Sequence, residues 1–160
     1  IDSKHISETV HFDGKETTIL PTNQLGLEET YYQKQPIDIQ PAPSDPCIKM
    51  PLGELFGARS GDKGGCANIG VWAKTEDAYS FLNECLTVMQ IKELMPDLAE
   101  FQIDRYELPN ILSLNFYIHG ILEDGVSSNT RKDGQAKSLG EYLRAKYIEI
   151  PKSLIKEKEA

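Results

Sequence analysis

Ala67-Asn68-Ile69-Gly70-Val71-Trp72-Ala73 alternates without a break: Ala67, Ile69, Val71 and Ala73 fall on one face, Asn68, Gly70 and Trp72 on the other. This is the period-two signature of a half-buried strand. Upstream, Ile48 to Ala58 reads as another strand. Between the two lies Arg59-Ser60-Gly61-Asp62-Lys63-Gly64-Gly65-Cys66. Two residues would be enough to reverse the chain, so eight polar or glycine positions read as a ligand-contact loop.

Downstream, Thr75 offers an N-cap, with Glu76 and Asp77 in the first turn where the helix dipole favours acids. Leu82, Cys85, Leu86 and Met89 repeat at helical spacing. Thr87-Val88-Met89-Gln90 is a capping-box pattern, and Leu86 and Ile91 stand where a hydrophobic staple would clasp. The reading is therefore two short helices, one from about Glu76 to Leu86 and one ending before Pro96. Phe101 to Leu108 is β-like, Pro109-Asn110 supplies a turn, and Ile111 to His119 alternates with Leu112, Leu114, Phe116 and Ile118 on one face. The other face carries Ser113, Asn115, Tyr117 and His119 and is expected to share an exposed sheet surface with Asn68 and Trp72. After the connection Gly120 to Asp133, the positions Ala136, Leu139, Leu143 and Tyr147 define an amphipathic helix, and Ile148 to Pro151 a closing strand.

From Ala67 onward the order is β, α, β, β, α, β, with an additional strand before it. This predicts an α+β fold, a ferredoxin-like sandwich with an antiparallel sheet and helices on one face. Residues 1–46 carry eight acidic and three basic side chains together with Pro21, Pro36, Pro41, Pro43 and Pro46. They read as an acidic, proline-rich linker or the remnant of a preceding domain. Residues 47–151 then form the ferredoxin-like domain and residues 152–160 a C-terminal tail.

The 160 residues carry a net charge of −8, which disfavours nucleic acid as a partner. No apolar run reaches the roughly 20 residues that span a bilayer, and the first residues lack the basic start and apolar stretch of a signal peptide. The three cysteines, Cys47, Cys66 and Cys85, form no metal-ligand spacing. A cytoplasmic protein with no membrane association, no cofactor and no metal is expected.

The Gly-rich stretch fails the phosphate-binding G-x-x-x-x-G-K-[ST] pattern. Gly57 and Gly61 are one residue too close, Asp62 precedes Lys63, and Gly64 replaces the hydroxyl residue. Its backbone N–H groups, Arg59 and Lys63 suit a carboxylate or phosphate oxygen. The candidate ligand-binding set is Arg59, Ser60, Asp62, Lys63, Asn68, Asn115 and Arg131. The structural alternative is that Arg59 and Asp62 pair with each other, or with Arg105 and Glu107, and brace a hairpin. His119 is the acid/base candidate, with Arg105 beside it, against a purely hydrogen-bonded histidine at a strand end. Cys66 lacks an identifiable base partner and reads more readily as a packing residue than as a nucleophile.

Ala58-Arg59-Ser60-Gly61-Asp62-Lys63-Gly64-Gly65 with Ala67-Asn68-Ile69-Gly70-Val71, then Arg105-Tyr106-Glu107-Leu108-Pro109-Asn110 and Leu114-Asn115-Phe116, resemble the C-terminal domain of the acyclic terpene utilisation protein A family. The resemblance covers roughly residues 50 to 151 and departs at Cys66, where relatives tend to have a polar residue. It departs again at Glu123-Asp124-Gly125, a more glycine-rich stretch in relatives. It implies a small ferredoxin-like domain after a large one, in citronellol and geraniol breakdown through acyl-CoA intermediates. The expected function is an accessory domain contributing an anion-binding loop for a carboxylate or acyl-CoA, at a site shared with a preceding large domain or another subunit of a homo-oligomer. The alternatives are a non-catalytic assembly module docking through the open sheet face and, more weakly, an independent acid/base enzyme using His119.

Overall fold

The computed structural model describes residues 8–19, 41–43 and 45–156, and the chain divides into two compact units, residues 1–36 and 37–160. In the first unit β1 (Glu8–Phe12) and β2 (Lys15–Ile19) pair antiparallel. Asp13 and Gly14 between them both have positive φ, 48° and 69°, which is the backbone of a tight two-residue hairpin. This hairpin lies in the segment expected to be a linker or domain remnant. Pro21 and Pro36 of that segment, and residues 157–160 of the expected tail, lie outside the described residues.

The second unit holds the motifs. Its main sheet has four antiparallel strands in the order β4 (Gly57–Lys63), β5 (Cys66–Trp72), β7 (Ser113–Ile118), β6 (Ile103–Leu108). Ladder partners place Ala67, Ile69 and Val71 of β5 beside Ile118, Phe116 and Leu114 of β7 on one face, all fully buried. Onto that face pack α1 (Glu76–Cys85), with Ala78, Tyr79 and Leu82 buried, α2 (Val88–Leu94), with Ile91 buried, and α3 (Leu139–Arg144), with Leu139 and Leu143 buried. Both predicted caps are present: Thr75 Oγ1 accepts from Ala78 N–H and Thr87 Oγ1 from Gln90 N–H. Leu86 and Ile91 are both fully buried, as a staple requires. The hairpin joining β6 to β7 also stands, turning through a 3-10 turn at Pro109–Ile111 and Leu112 at φ 50°.

Four expectations are corrected. The single strand over Ile48–Ala58 is two, β3 (Cys47–Pro51) and β4, separated by a 3-10 turn at Leu52–Glu54. Leu52 is fully buried there, and its N–H donates to Lys146 O, which takes the chain out of the ladder. The eight-residue loop is almost all strand. Lys63 pairs with Cys66, so only Gly64 and Gly65 turn. Gly64 has φ 63°, and a Cβ on Gly65 would collide with the Glu123 carbonyl.

The helix expected across Ala136 to Tyr147 is only α3. Ala136 sits at φ 53°, and Asp133 accepts from the N–H groups of Lys137 and Ser138, which fixes a turn ahead of the helix. Finally, the closing strand β8 (Tyr147–Pro151) leaves the main sheet and pairs antiparallel with β3. The place beside β5 is filled by β4 instead. A six-residue helix rises only about 9 Å, and Gly140 presses it onto the Arg59–Ser60 backbone, so the chain emerges next to β3. Past Pro151 the chain forms α4 (Lys152–Lys156), with Leu154 in the core and the Ser153 N–H and hydroxyl donating to Asp45. These bonds, the hydroxyl's foremost, hold the Asp45 carboxyl below its usual range.

Candidate functional site

The sheet face opposite the helices carries most of the residues singled out from sequence, because residues paired across an antiparallel ladder share a face. Three rows cross it: Gly57, Trp72, Ser113, Leu108; Arg59, Gly70, Asn115, Tyr106; and Gly61, Asn68, Tyr117, Asp104. Asn68, Trp72, Ser113, Asn115 and Tyr117 therefore line one surface, as the alternation predicted.

At the β4 edge the surface is cationic. Arg59 and Lys63 point out on either side of Gly61, and both are exposed. Lys137, just before α3, reaches over the strand: its Nζ would lie 3.1 Å from a Cβ at Gly61. Three cations thus flank one glycine, and among the described residues none of the three pairs with a carboxylate. Lys63 Nζ donates to the Asp62 carbonyl at 2.9 Å. Next to this group Asn68 Nδ2 donates to Asn115 Oδ1 at 2.9 Å. Gly61 and Gly70 contribute no side chain to this part of the face, and guanidinium, ammonium and amide groups are all hydrogen-bond donors suited to oxyanions.

The other half of the face is aromatic and acid/base in character. His119 Nε2 lies 2.7 Å from Asp104 Oδ2, and its ring meets Tyr117 edge-on at 4.9 Å. The bond from His119, helped by Gln102 and Tyr106, holds the Asp104 carboxyl below its usual range. The neighbouring Cys66 side chain foremost, together with partial desolvation and the nearby Tyr106 and Asp104, raises the Tyr117 pKa. Gly120 N–H donates to Cys66 Sγ, at 3.4 Å. Cys66, expected to be a packing residue, is half-buried on the open face and not in the core.

The remaining candidates are elsewhere. Ser60 lies on the helix-covered side, donating to Lys137 O and accepting from Gly140 N–H, so it anchors α3. Asp62 shares that face, opposite Ala67. Arg105 does too. Its guanidinium donates to Leu86 O, Asn83 O and Asn83 Oδ1 and pairs with Glu107 at 2.7 Å, tying the end of α1 to β6. It therefore faces away from His119. Arg131 sits in the connection to α3, its N–H on Asn129 Oδ1 and its charge acting on Asp133. Brace pairs between Arg59 or Asp62 and Arg105 or Glu107 do not form.

Two features had no signal in the sequence. Lys137 lies 74 to 80 positions beyond the strand it covers, and local pattern carries no trace of such an approach. The second is a groove of about 360 Å³ on the helix side, lined by Phe81, Cys85, Leu86, Gln90, Ile148, Tyr147, Lys49 and Glu149. It touches none of the candidate residues, and burial pushes the Cys85 thiol up to about 12. Among the described residues there is no group of three or more His, Cys, Asp or Glu placed to hold a metal ion, and no helix long and apolar enough to cross a membrane.

In comparisons with known proteins, the family model of the AtuA ferredoxin-like domain matches residues 50–149, which takes in the main sheet, its helices and most of β8. No curated protein and no solved structure matches the chain.

Proposed function

The chain belongs to the AtuA ferredoxin-like domain family, and we propose that it works as an accessory domain presenting an anion-binding strip on its open sheet face. The ligand is a carboxylate or acyl-CoA of acyclic terpene or acyl-CoA catabolism, and a preceding large domain or another subunit completes the site. The observation that carries this reading is the set of three cations, Arg59, Lys63 and Lys137, gathered over Gly61 with no carboxylate partner among the described residues. Clustered cations repel one another, so an unneutralised group of three costs stability unless an anion offsets it. The site is open to solvent on one side, which suits a surface that closes against a partner.

Calorimetry of the full-length protein with acetyl-CoA, compared with Arg59→Ala and Lys137→Ala, tests the reading. Loss of one charged hydrogen-bond partner predicts affinity lower by about tenfold or more for each variant. Equal affinity in all three proteins overturns it.

A second reading rests on a different observation. Trp72 is 37 % exposed, Tyr106 51 % and Leu108 43 % on the same face, a combination that anchors protein contacts. In this reading the domain is a non-catalytic assembly module, and the protein is a homo-oligomer through that face. Light scattering then gives a smaller species for Trp72→Asp than for the wild type. A monomer in both removes homo-oligomerisation.

A further inference from the structure

On the open face the Trp72 side chain crosses from β5 to β4. A Cβ at Gly57, its ladder partner, would collide with the indole atoms Cε2, Cζ2 and Nε1, so the ring is seated on the Gly57 backbone. Even so, 37 % of Trp72 meets solvent. The next residue along β5 on that face is Gly70, opposite Arg59. Among the described residues a Cβ at Gly70 would meet nothing within 4 Å except the Arg59 carbonyl, at 3.9 Å. The surface between the indole and the cations is therefore unfilled. Two and four residues along β4 from Gly57 come Arg59 and Gly61, with Lys137 Nζ reaching the latter. At about 3.4 Å per residue, the track from the indole seat to the cations is about 7–14 Å long.

We infer that this track binds a purine nucleotide carrying a diphosphate, with its base on the Trp72 indole, its ribose over Gly70 and its phosphates among Arg59, Lys63 and Lys137. The inference rests on the anion-binding reading above and narrows its ligand. A simple carboxylate would engage the cations and leave the seated indole and the unfilled surface at Gly70 without a role. A nucleotide uses all three: the base stacks on an aromatic face, the sugar crosses the glycine, and the phosphates meet a guanidinium fork and two ammonium groups. The charge pattern favours a single nucleotide over a nucleic-acid strand. A strand needs cations along its whole path, whereas these stand together at the β4 edge of a chain of net charge −8. A free nucleoside diphosphate and the nucleotide end of coenzyme A present the same chemistry to this track.

Trp72 is the single tryptophan of the chain, so its fluorescence reports on the track directly. The full chain is titrated with ADP, coenzyme A and inorganic pyrophosphate, and affinities are read by calorimetry in parallel. ADP is expected to quench Trp72 and to bind about tenfold or more tighter than pyrophosphate, because stacking adds to the phosphate contacts. Trp72→Leu is expected to bring ADP down to the affinity of pyrophosphate, and Arg59→Ala to weaken both. Coenzyme A binding tighter than ADP supports the inference with coenzyme A as the source, and ADP binding as tightly or tighter supports it with a free nucleotide. ADP and pyrophosphate binding equally to the wild type, with Arg59→Ala weakening both, overturns the nucleotide and leaves the anion strip standing. No binding of either overturns both. The comparison of ADP with pyrophosphate is made on the wild type, so it decides the matter even if Trp72→Leu does not fold.

Discussion

Arg105 shows how one residue's chemistry follows from the face it occupies. Ile103 and Arg105 share the covered side of β6, and Asp104 and Tyr106 the open side. The guanidinium therefore meets the carbonyls at the end of α1, where a cation complements the helix dipole. Arg105→Ala is expected to destabilise the domain by about 2–3 kcal/mol, read from urea unfolding, because a charged hydrogen-bonding group is lost and carbonyls are left unpaired. On the inner side of α1, Tyr79 is buried with a hydroxyl that has no partner among the described residues, and burial, with the nearby Glu107 charge, raises its pKa. Tyr79→Phe is therefore expected to be neutral or slightly stabilising in the same assay. Partial burial alone would raise Asp133, yet the Ser138 hydroxyl and the N–H groups of Ser138 and Lys137 outweigh it and lower the pKa. A carboxyl lowered by folding adds stability that is full above its unfolded pKa, about 3.9, and is lost as pH falls through the folded value. Asp133→Asn should thus be less stable than wild type at pH 7, with the gap closing below about pH 4. The alternation along β6 already separates Arg105 from His119, but the helix end that claims Arg105 is 19 residues away in sequence and invisible to that pattern.

Among the elements, local signals were readable and tertiary ones were not. Thr75 and Thr87 each cap through a bond spanning three residues, so the sequence around each carries the information; Thr87→Ala is expected to cost about 1 kcal/mol in thermal or urea unfolding. The break between β3 and β4 depends on where Leu52 is buried and on the Lys146 carbonyl, both set by packing. The transfer of β8 to β3 likewise depends on how Gly140 seats α3 on β4. The polar β4 has the composition of a loop because a strand at the sheet edge tolerates Arg, Asp and Lys, and charge there discourages unwanted pairing. The tight turn tests this correction. Gly64 meets open space, so Gly64→Ala costs only backbone strain, about 1 kcal/mol. Gly65→Ala must displace the Glu123 carbonyl and is expected to cost about 1–3 kcal/mol. Equal losses in calorimetric melting would mean that the turn is not packed against that carbonyl.

Across the second unit as a whole, the sheet divides labour between its faces. One face is filled by the core, and the other holds cations at β4, an Asn pair in the middle, and the His119–Asp104 pair with exposed aromatics beyond. Such a surface on a chain of net charge −8 concentrates positive potential where the rest of the molecule is negative, and so directs an anion to one place. Arg59, Lys63, Asn68 and Asn115 are legible in the sequence, and Lys137 is not, because only the folded chain creates its approach. The most direct measurement is a two-dimensional amide NMR titration of the full chain with acetyl-CoA. The account predicts shifts concentrated at residues 59–63, Asn68, Asn115 and Lys137. Shifts confined to the groove around Phe81 and Tyr147, or none at all, would contradict it.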